Sequence, residues 1–198
     1  MGTTCALLLA DQHVYLFTYE NDYMQKLLKS KQLHKARSFN FTKRYIDDLL
    51  AVQNHYIHDA VKEIYPSSLE LKETTDSTDG TSYLDLYLFK DQYGFLSRRL
   101  YDKRDDYSFN IVNYPFMDSN IPQGPAYGVY ISRLVAFARA CQTLGDFNQR
   151  HKNLLQKLIS QGYTINRLHS KFLKFGNKHH SLIVKYNQSG EDLWRFGL

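Results

Sequence analysis

Two adjacent carboxylates, Asp47 and Asp48, close the run Phe41-Thr42-Lys43-Arg44-Tyr45-Ile46-Asp47-Asp48. Carboxylates sharing one tight turn repel each other, so the pair is costly unless cations occupy the place. Hard oxygen donors of this kind hold Mg2+, and two such ions on a few carboxylates are what phosphoryl transfer to a hydroxyl requires. An Asp-Asp pair is also ordinary turn chemistry. The flanks favour the first reading. Residues 39–46 alternate aromatic or apolar with polar side chains, and Leu49-Leu50-Ala51-Val52 resumes an apolar run. Strand, acidic turn and strand predict a hairpin with Asp47 and Asp48 at its tip.

A second set of chemistry-bearing residues is basic. Arg150, Lys152 and Lys157, then Arg167, Lys171 and Lys174, interleave with Tyr163, Phe172 and Phe175. On helices, such residues would follow a polyanion backbone through phosphate contacts; the alternative is a packed helix pair with solvated outer faces. The charge is lopsided. Residues 1–97 hold 10 basic and 13 acidic groups, net −3, whereas residues 98–198 hold 15 and 7, net +8. A basic lobe beside an acidic cluster suits a protein that grips a polyanion and does metal chemistry on it. Aromatics make up 15% of the chain, a density that serves base stacking as well as a core.

Other constellations carry less. His55 and His58 stand at i, i+3 with no third ligand at metal spacing, and read as solvated, as does His179-His180 in a basic stretch. Asp102 to Asp106 reads as a solvated loop of alternating charge. No Gly-rich phosphate loop, Ser nucleophile elbow or Cys-His dyad is visible.

These groups need elements to hold them. The pattern predicts a helix over 4–29, with Leu8, Asp11, Tyr15, Tyr19 and Tyr23 on one stripe and Leu7, Val14 and Phe17 beside it. A helix follows over 54–64, then strands over 68–74, 82–90 and 95–102. Helical patterning returns over 126–142, from an N-cap at Asp146 to a stop at Gly162, and over 165–175. No internal repeat is visible. The fold class is α+β: an antiparallel sheet with helices over 1–113, a connector over 114–125, a helical lobe over 126–180 and a tail over 181–198. Two cysteines, Cys5 and Cys141, do not make a disulfide scaffold and point to a reducing intracellular compartment, nucleus or cytoplasm. The apolar run from Cys5 to Ala10 is too short to span a membrane.

Several segments in order resemble the reverse transcriptases of retroelements, of the Penelope-like group and its relatives. Met1-Gly2-Thr3-Thr4-Cys5-Ala6-Leu7-Leu8-Leu9-Ala10-Asp11 looks like the family's glycine turn and following helix. Phe41 to Asp48 is similar to its metal-binding hairpin. Leu69-Glu70-Leu71, then Ser82-Tyr83-Leu84-Asp85-Leu86, looks like the next palm strands. Arg139-Ala140-Cys141 and Leu155 through Gly162-Tyr163 resemble the thumb. The resemblance implies the C-terminal part of a right-hand polymerase palm followed by a helical thumb. It also implies Mg2+ as cofactor and an RNA template with a DNA primer as partners. Asp47 would ligate the metals and Asp48 support them. Tyr45 would sit near the primer terminus, and Gly2 would let the backbone approach template or nucleotide. Lys72 would protonate pyrophosphate, Tyr101 and Lys103 would lie near the primer grip, and the six basic residues of the thumb would follow the duplex.

The sequence also departs from the family. It begins at the glycine turn, so the fingers, the first palm strands and their metal-binding Asp are expected outside these residues. Thr4, Leu7 and Gln12-His13 stand where Asn, Pro and apolar residues are usual. The expectation is a chain inactive by itself, with a non-catalytic nucleic-acid-binding module or a functionless remnant as alternatives.

Overall fold

The computed structural model describes the backbone of residues 2–76, 80–109 and 111–196, and side-chain surroundings from Val14 to Arg195 within those ranges. The chain forms two compact units, Met1–Glu73 and Thr74–Leu198. Both mix helices with small antiparallel sheets; eight α-helices and five strands occur among the described residues.

The first unit opens with α1 (Gly2–Lys29). Its core-facing stripe is Leu16, Tyr19, Tyr23 and Leu27, the first two half-buried and the last two buried, spaced so that one helical face meets the core. Lys31 ends the helix in the left-handed region at φ 56. The Gln32 amide reaches back to the Leu27 carbonyl at 2.9 Å and the Lys31 amide to that of Leu28 at 3.1 Å, a Schellman closure made with Lys where Gly is usual. Then come α2 (Leu33–Ser38), a 3₁₀ turn (Phe39–Phe41), β1 (Thr42–Tyr45), β2 (Asp48–Ala51) and α3 (Ile57–Ile64). Asn54 joins the ribbon to α3: its Nδ2 donates to Thr42 Oγ1 at 3.2 Å and its Oδ1 accepts from the Tyr56 amide at 3.1 Å. Pro66 forces Tyr65 out of the helical region and stops α3. Ala36, Ala60, Ile64 and Tyr65 complete this core.

The second unit begins with β3 (Thr81–Tyr83), β4 (Leu86–Lys90) and β5 (Leu96–Leu100), paired antiparallel in that order. Leu86 and Leu100, directly opposite each other, pack into a helical core made by α4 (Gln123–Ala140), α5 (Leu144–Ser160), α6 (Ile165–Lys178), α7 (His180–Ile183) and α8 (Gly190–Phe196). Some helix ends are satisfied by side chains. Thr143 Oγ1 accepts the Asp146 amide at 3.1 Å and its hydroxyl donates to the Asp146 carboxylate at 2.6 Å, an N-cap at the start of α5. Gly162, at φ +86, ends that helix. The carbonyls at the end of α4 are met by Lys185 Nζ, 2.7 Å from Ala138 O and 2.6 Å from Cys141 O, and by the Tyr186 hydroxyl at 2.8 Å from Cys141 O. Cys141 is buried and free.

Several expectations change. Residues 68–74 form no strand; the apolar face that Leu69 and Leu71 share is exposed rather than buried, along with every other position there. The stretch 82–90 is a hairpin, broken at Leu84-Asp85. Residues 39–41 are a 3₁₀ turn, so β1 starts at Thr42. The N-cap of α5 is Thr143, with Asp146 at the third helical position. The compact units divide after Glu73, which groups β3–β5 with the helices. Within the C-terminal tail, Ile183, Tyr186, Leu193 and Trp194 are buried in the second core. On α1, Val14, Tyr15 and Phe17 are exposed, and the helix turns Leu16 inward instead. The expectations for Leu7, Leu8 and Asp11 lie outside the described side chains.

One polar pair sits inside the second core. His151 Nε2 and the Tyr130 hydroxyl are 2.8 Å apart and both residues are fully buried. The ring stacks on Phe172 at 4.7 Å and is flanked by Phe147 and Trp194, while Nδ1 finds no partner. Burial disfavours the imidazolium and holds the His151 pKa down at about 3, from an ordinary 6.5. Below pH 6.5 the unfolded chain takes up a proton that the folded chain refuses until about pH 3. The stability tied to this ring is therefore present above pH 6.5 and lost as pH falls through that window. Between pH 7 and pH 5 the loss is about 2 kcal/mol. Trp194, the one tryptophan, reports unfolding of this unit. Its denaturation midpoint should fall between pH 7 and 5 in the wild type and lose most of that dependence in His151→Leu; equal wild-type midpoints would mean the folded ring accepts the proton.

Candidate functional site

The acidic hairpin is built from a short ladder: Thr42 opposite Ala51, Lys43 opposite Leu50, Arg44 opposite Leu49, Tyr45 opposite Asp48. The loop is therefore Ile46-Asp47, and Asp48 is the first residue of β2 rather than part of the tip. A two-residue loop matching strand twist asks its first residue for positive φ, usually a glycine's role. Here Ile46 takes φ +54. A β-branched residue there is an outlier, with a strain on the order of 1–3 kcal/mol that its surroundings must hold. Asp47 and Asp48 are exposed, and neither carboxylate has a hydrogen-bond or ion-pair partner among the described residues. Tyr45, 53% exposed, shares the face of Asp48.

What holds this loop is a network that the sequence did not announce. Arg44 Nε donates to Glu20 Oε1 at 2.7 Å, and Arg44 Nη1 donates to the Ile46 carbonyl at 3.0 Å. The Tyr65 hydroxyl donates to the same Glu20 oxygen at 2.5 Å. The Arg44 side chain is only 8% exposed. Burial, then the bond to Glu20, pushes the Tyr65 phenol well up. A cavity of about 220 Å3 adjoins the network, walled by apolar side chains that include Tyr23, Met24, Phe39 and Ile57.

The same turn recurs in the second unit. Tyr83-Leu84-Asp85-Leu86 pairs Tyr83 with Leu86 across the loop Leu84-Asp85, with Leu84 at φ +54. The repeated Tyr-aliphatic-Asp was the available signal.

The second unit also holds a cleft of about 690 Å3. One wall is aromatic: Tyr87, Tyr101, Tyr107 and Phe109, with the Arg99 guanidinium over the Tyr87 ring at 4.7 Å. The other is the polar face of α5, where Gln149, Arg150, Asn153 and Lys157 recur at helical spacing. The structure thus brings Tyr101, Arg150 and Lys157 together, and adds Arg99, Gln149 and Asn153. Half of the cations there are already matched by carboxylates. Arg150 bonds the Asp105 carboxylate and, at 2.9 Å, the Leu100 carbonyl. Arg104 forks onto Asp102, and that bond chiefly holds the Asp102 carboxyl down at about 2. Tyr101 donates to Asp106 at 2.5 Å, which raises its phenol pKa. Arg99 and Lys157 line the cleft without a carboxylate partner among the described residues.

The remaining expected residues are not gathered there. Lys103 and Lys152 are exposed outside the cleft lining. Arg167, Lys171 and Lys174 form a stripe on α6, where Arg167 bonds Gln123 and lies over the Tyr127 ring at 5.0 Å. Lys72 is exposed in the irregular stretch after α3, and Gly2 begins α1 with surroundings outside the described residues. His55 and His58 are exposed. No three His, Cys, Asp or Glu side chains among the described residues cluster as a metal site. The donors Asp47 and Asp48 nevertheless fit Mg2+ chemically, since that ion keeps several waters and takes one or two carboxylates. No helix of the described residues is long and apolar enough to cross a membrane.

With both carboxylates unpartnered, Asp47→Asn should leave stability unchanged or raise it by up to about 1 kcal/mol, because it removes repulsion and no bond. Thermal and urea denaturation followed by circular dichroism measure this. A loss beyond about 2 kcal/mol would mean that Asp47 is a hydrogen-bonding turn residue.

Comparison with known protein families, with curated proteins and with solved structures finds no match to this chain.

Proposed function

We propose that these residues are the C-terminal palm and the thumb of an RNA-directed DNA polymerase. The observation that carries this reading is the strained two-residue hairpin that presents Asp47 and Asp48 exposed and unpartnered. Asp47 and Asp48 would hold Mg2+, which when bound neutralises phosphate charge and eases loss of the proton from a 3′ hydroxyl. Tyr45, on the face of Asp48, would pack against the primer terminus. A further strand-borne carboxylate would come from outside these residues, so the chain alone extends no primer. A primer-extension assay on the 198 residues tests this: robust extension that depends on Asp47 would overturn the claim of inactivity.

A second reading is favoured by the cleft, whose aromatic wall faces the polar side of α5: a non-catalytic nucleic-acid-binding module. Both readings expect salt-sensitive, sequence-independent binding of an RNA–DNA hybrid, and they assign the grip to different cations. If the α6 stripe tracks the backbone, Lys171→Ala with Lys174→Ala should flatten the plot of log affinity against log salt by about one per lost phosphate contact. If the cleft binds, Arg99→Ala with Lys157→Ala should do so instead. Fluorescence anisotropy with a labelled hybrid separates them. Undetectable binding at low salt would remove nucleic acid as the partner.

A further inference from the structure

The strain at Ile46 requires something that holds it, and the network behind the hairpin has the right shape. We infer that Glu20, Arg44 and Tyr65 form a clamp that selects the conformation of the Ile46-Asp47 loop and so sets where Asp47 is presented. The Ile46 carbonyl belongs to the central peptide of a two-residue loop. The two primed turn types that suit such a hairpin differ chiefly in which way that peptide faces. Arg44 Nη1, 3.0 Å from this carbonyl, satisfies it in one orientation only. A flip would turn the carbonyl away from a buried guanidinium and break that charge-assisted bond.

The guanidinium is itself fixed. Its Nε is spent on Glu20 Oε1 at 2.7 Å, and that oxygen is also held by the Tyr65 hydroxyl at 2.5 Å. Three elements therefore meet at one carboxylate oxygen: α1 through Glu20, β1 through Arg44, and the end of α3 through Tyr65. The planar fork lets Arg44 bond Glu20 and the loop carbonyl at once, which a lysine ammonium on its flexible stem does not reproduce. These three are positioning residues; they act through the loop backbone. Only the consequence for metal binding rests on the polymerase reading above.

Nuclear magnetic resonance on the full chain tests the clamp with two readouts. Both primed turns keep positive φ at Ile46, whereas the flip would make φ at Asp47 positive, which it is not here; positive φ gives a strong contact between a residue's own amide and α protons, and Mn2+ as probe ion broadens amides near its ligands. In Arg44→Lys, with the cross-strand contacts from Thr42 to Ala51 retained, the Asp47 contact should strengthen at least twofold and the Mn2+ needed to broaden Asp47 should rise at least fivefold. Tyr65→Phe, which removes one hydroxyl, should shift the Ile46 and Asp47 amide signals the same way by less. It decides the matter if Arg44→Lys does not fold. Unchanged Ile46 and Asp47 signals in the folded variant would overturn the clamp. If Mn2+ broadens nothing at the wild-type hairpin, the metal reading fails, and the Asp47 contact still decides the clamp.

Discussion

The first unit depends on one carboxylate oxygen. Glu20 Oε1 receives both Arg44 and Tyr65, and through them α1, the ribbon and α3 share a junction. Its surroundings are only partly dry: Glu20 keeps 26% of its side-chain surface, Arg44 8%. Taking such charges from water is expensive, and the attraction between them repays that only when the hydrogen bonds are good. Here a charge-assisted bond, a phenol and a loop carbonyl supply them. The junction adds little net stability compared with an apolar one of similar volume. What it adds is direction, because hydrogen bonds have preferred angles and apolar contacts do not.

The second unit handles polarity in the opposite way. Its core is aromatic and aliphatic around a neutral histidine, and its charges are kept at the cleft and the helix ends. In the cleft two of the four cations, Arg104 and Arg150, are answered by carboxylates held in the same loop, residues 102–106. The net charge of +8 on residues 98–198 therefore overstates the field in the cleft, where Arg99 and Lys157 remain. Much of the excess lies on α6 and its neighbours. Net charge counts residues, whereas a polyanion meets a local potential that paired carboxylates have largely cancelled.

Where the sequence was legible, periodicity and local chemistry made it so. The long helix α1, the hairpin around residue 46 and helices α4 to α6 all show in spacing alone, and so does the stop at Gly162. Two kinds of feature did not show. The first is a turn that breaks an apparently continuous strand: Leu84-Asp85 carries no glycine or proline, because an aliphatic residue takes the left-handed position. The second is any contact between residues far apart in sequence. Glu20 stands 24 positions from Arg44 and 45 from Tyr65, so no local pattern links them. His151 illustrates the same limit: in the sequence it is one more polar residue of a basic helix, and only the packing of Phe147, Phe172 and Trp194 makes it a core residue.

The two hairpins, compared with each other, separate what the fold requires from what chemistry adds. Both place Tyr opposite the residue that follows the loop, both use an aliphatic residue at φ +54, and both put Asp second in the loop. The turn therefore accounts for Asp85 and, by the same token, for much of Asp47. It does not account for Asp48. The matching position in the second hairpin is Leu86, which packs against the helical core. A ribbon needing only to be stable would place an apolar or β-branched residue there. The first hairpin instead spends that position on an exposed carboxylate beside another carboxylate, with no partner for either among the described residues. The functional argument thus rests more on Asp48 than on Asp47, because Asp48 is the one that the turn has no use for.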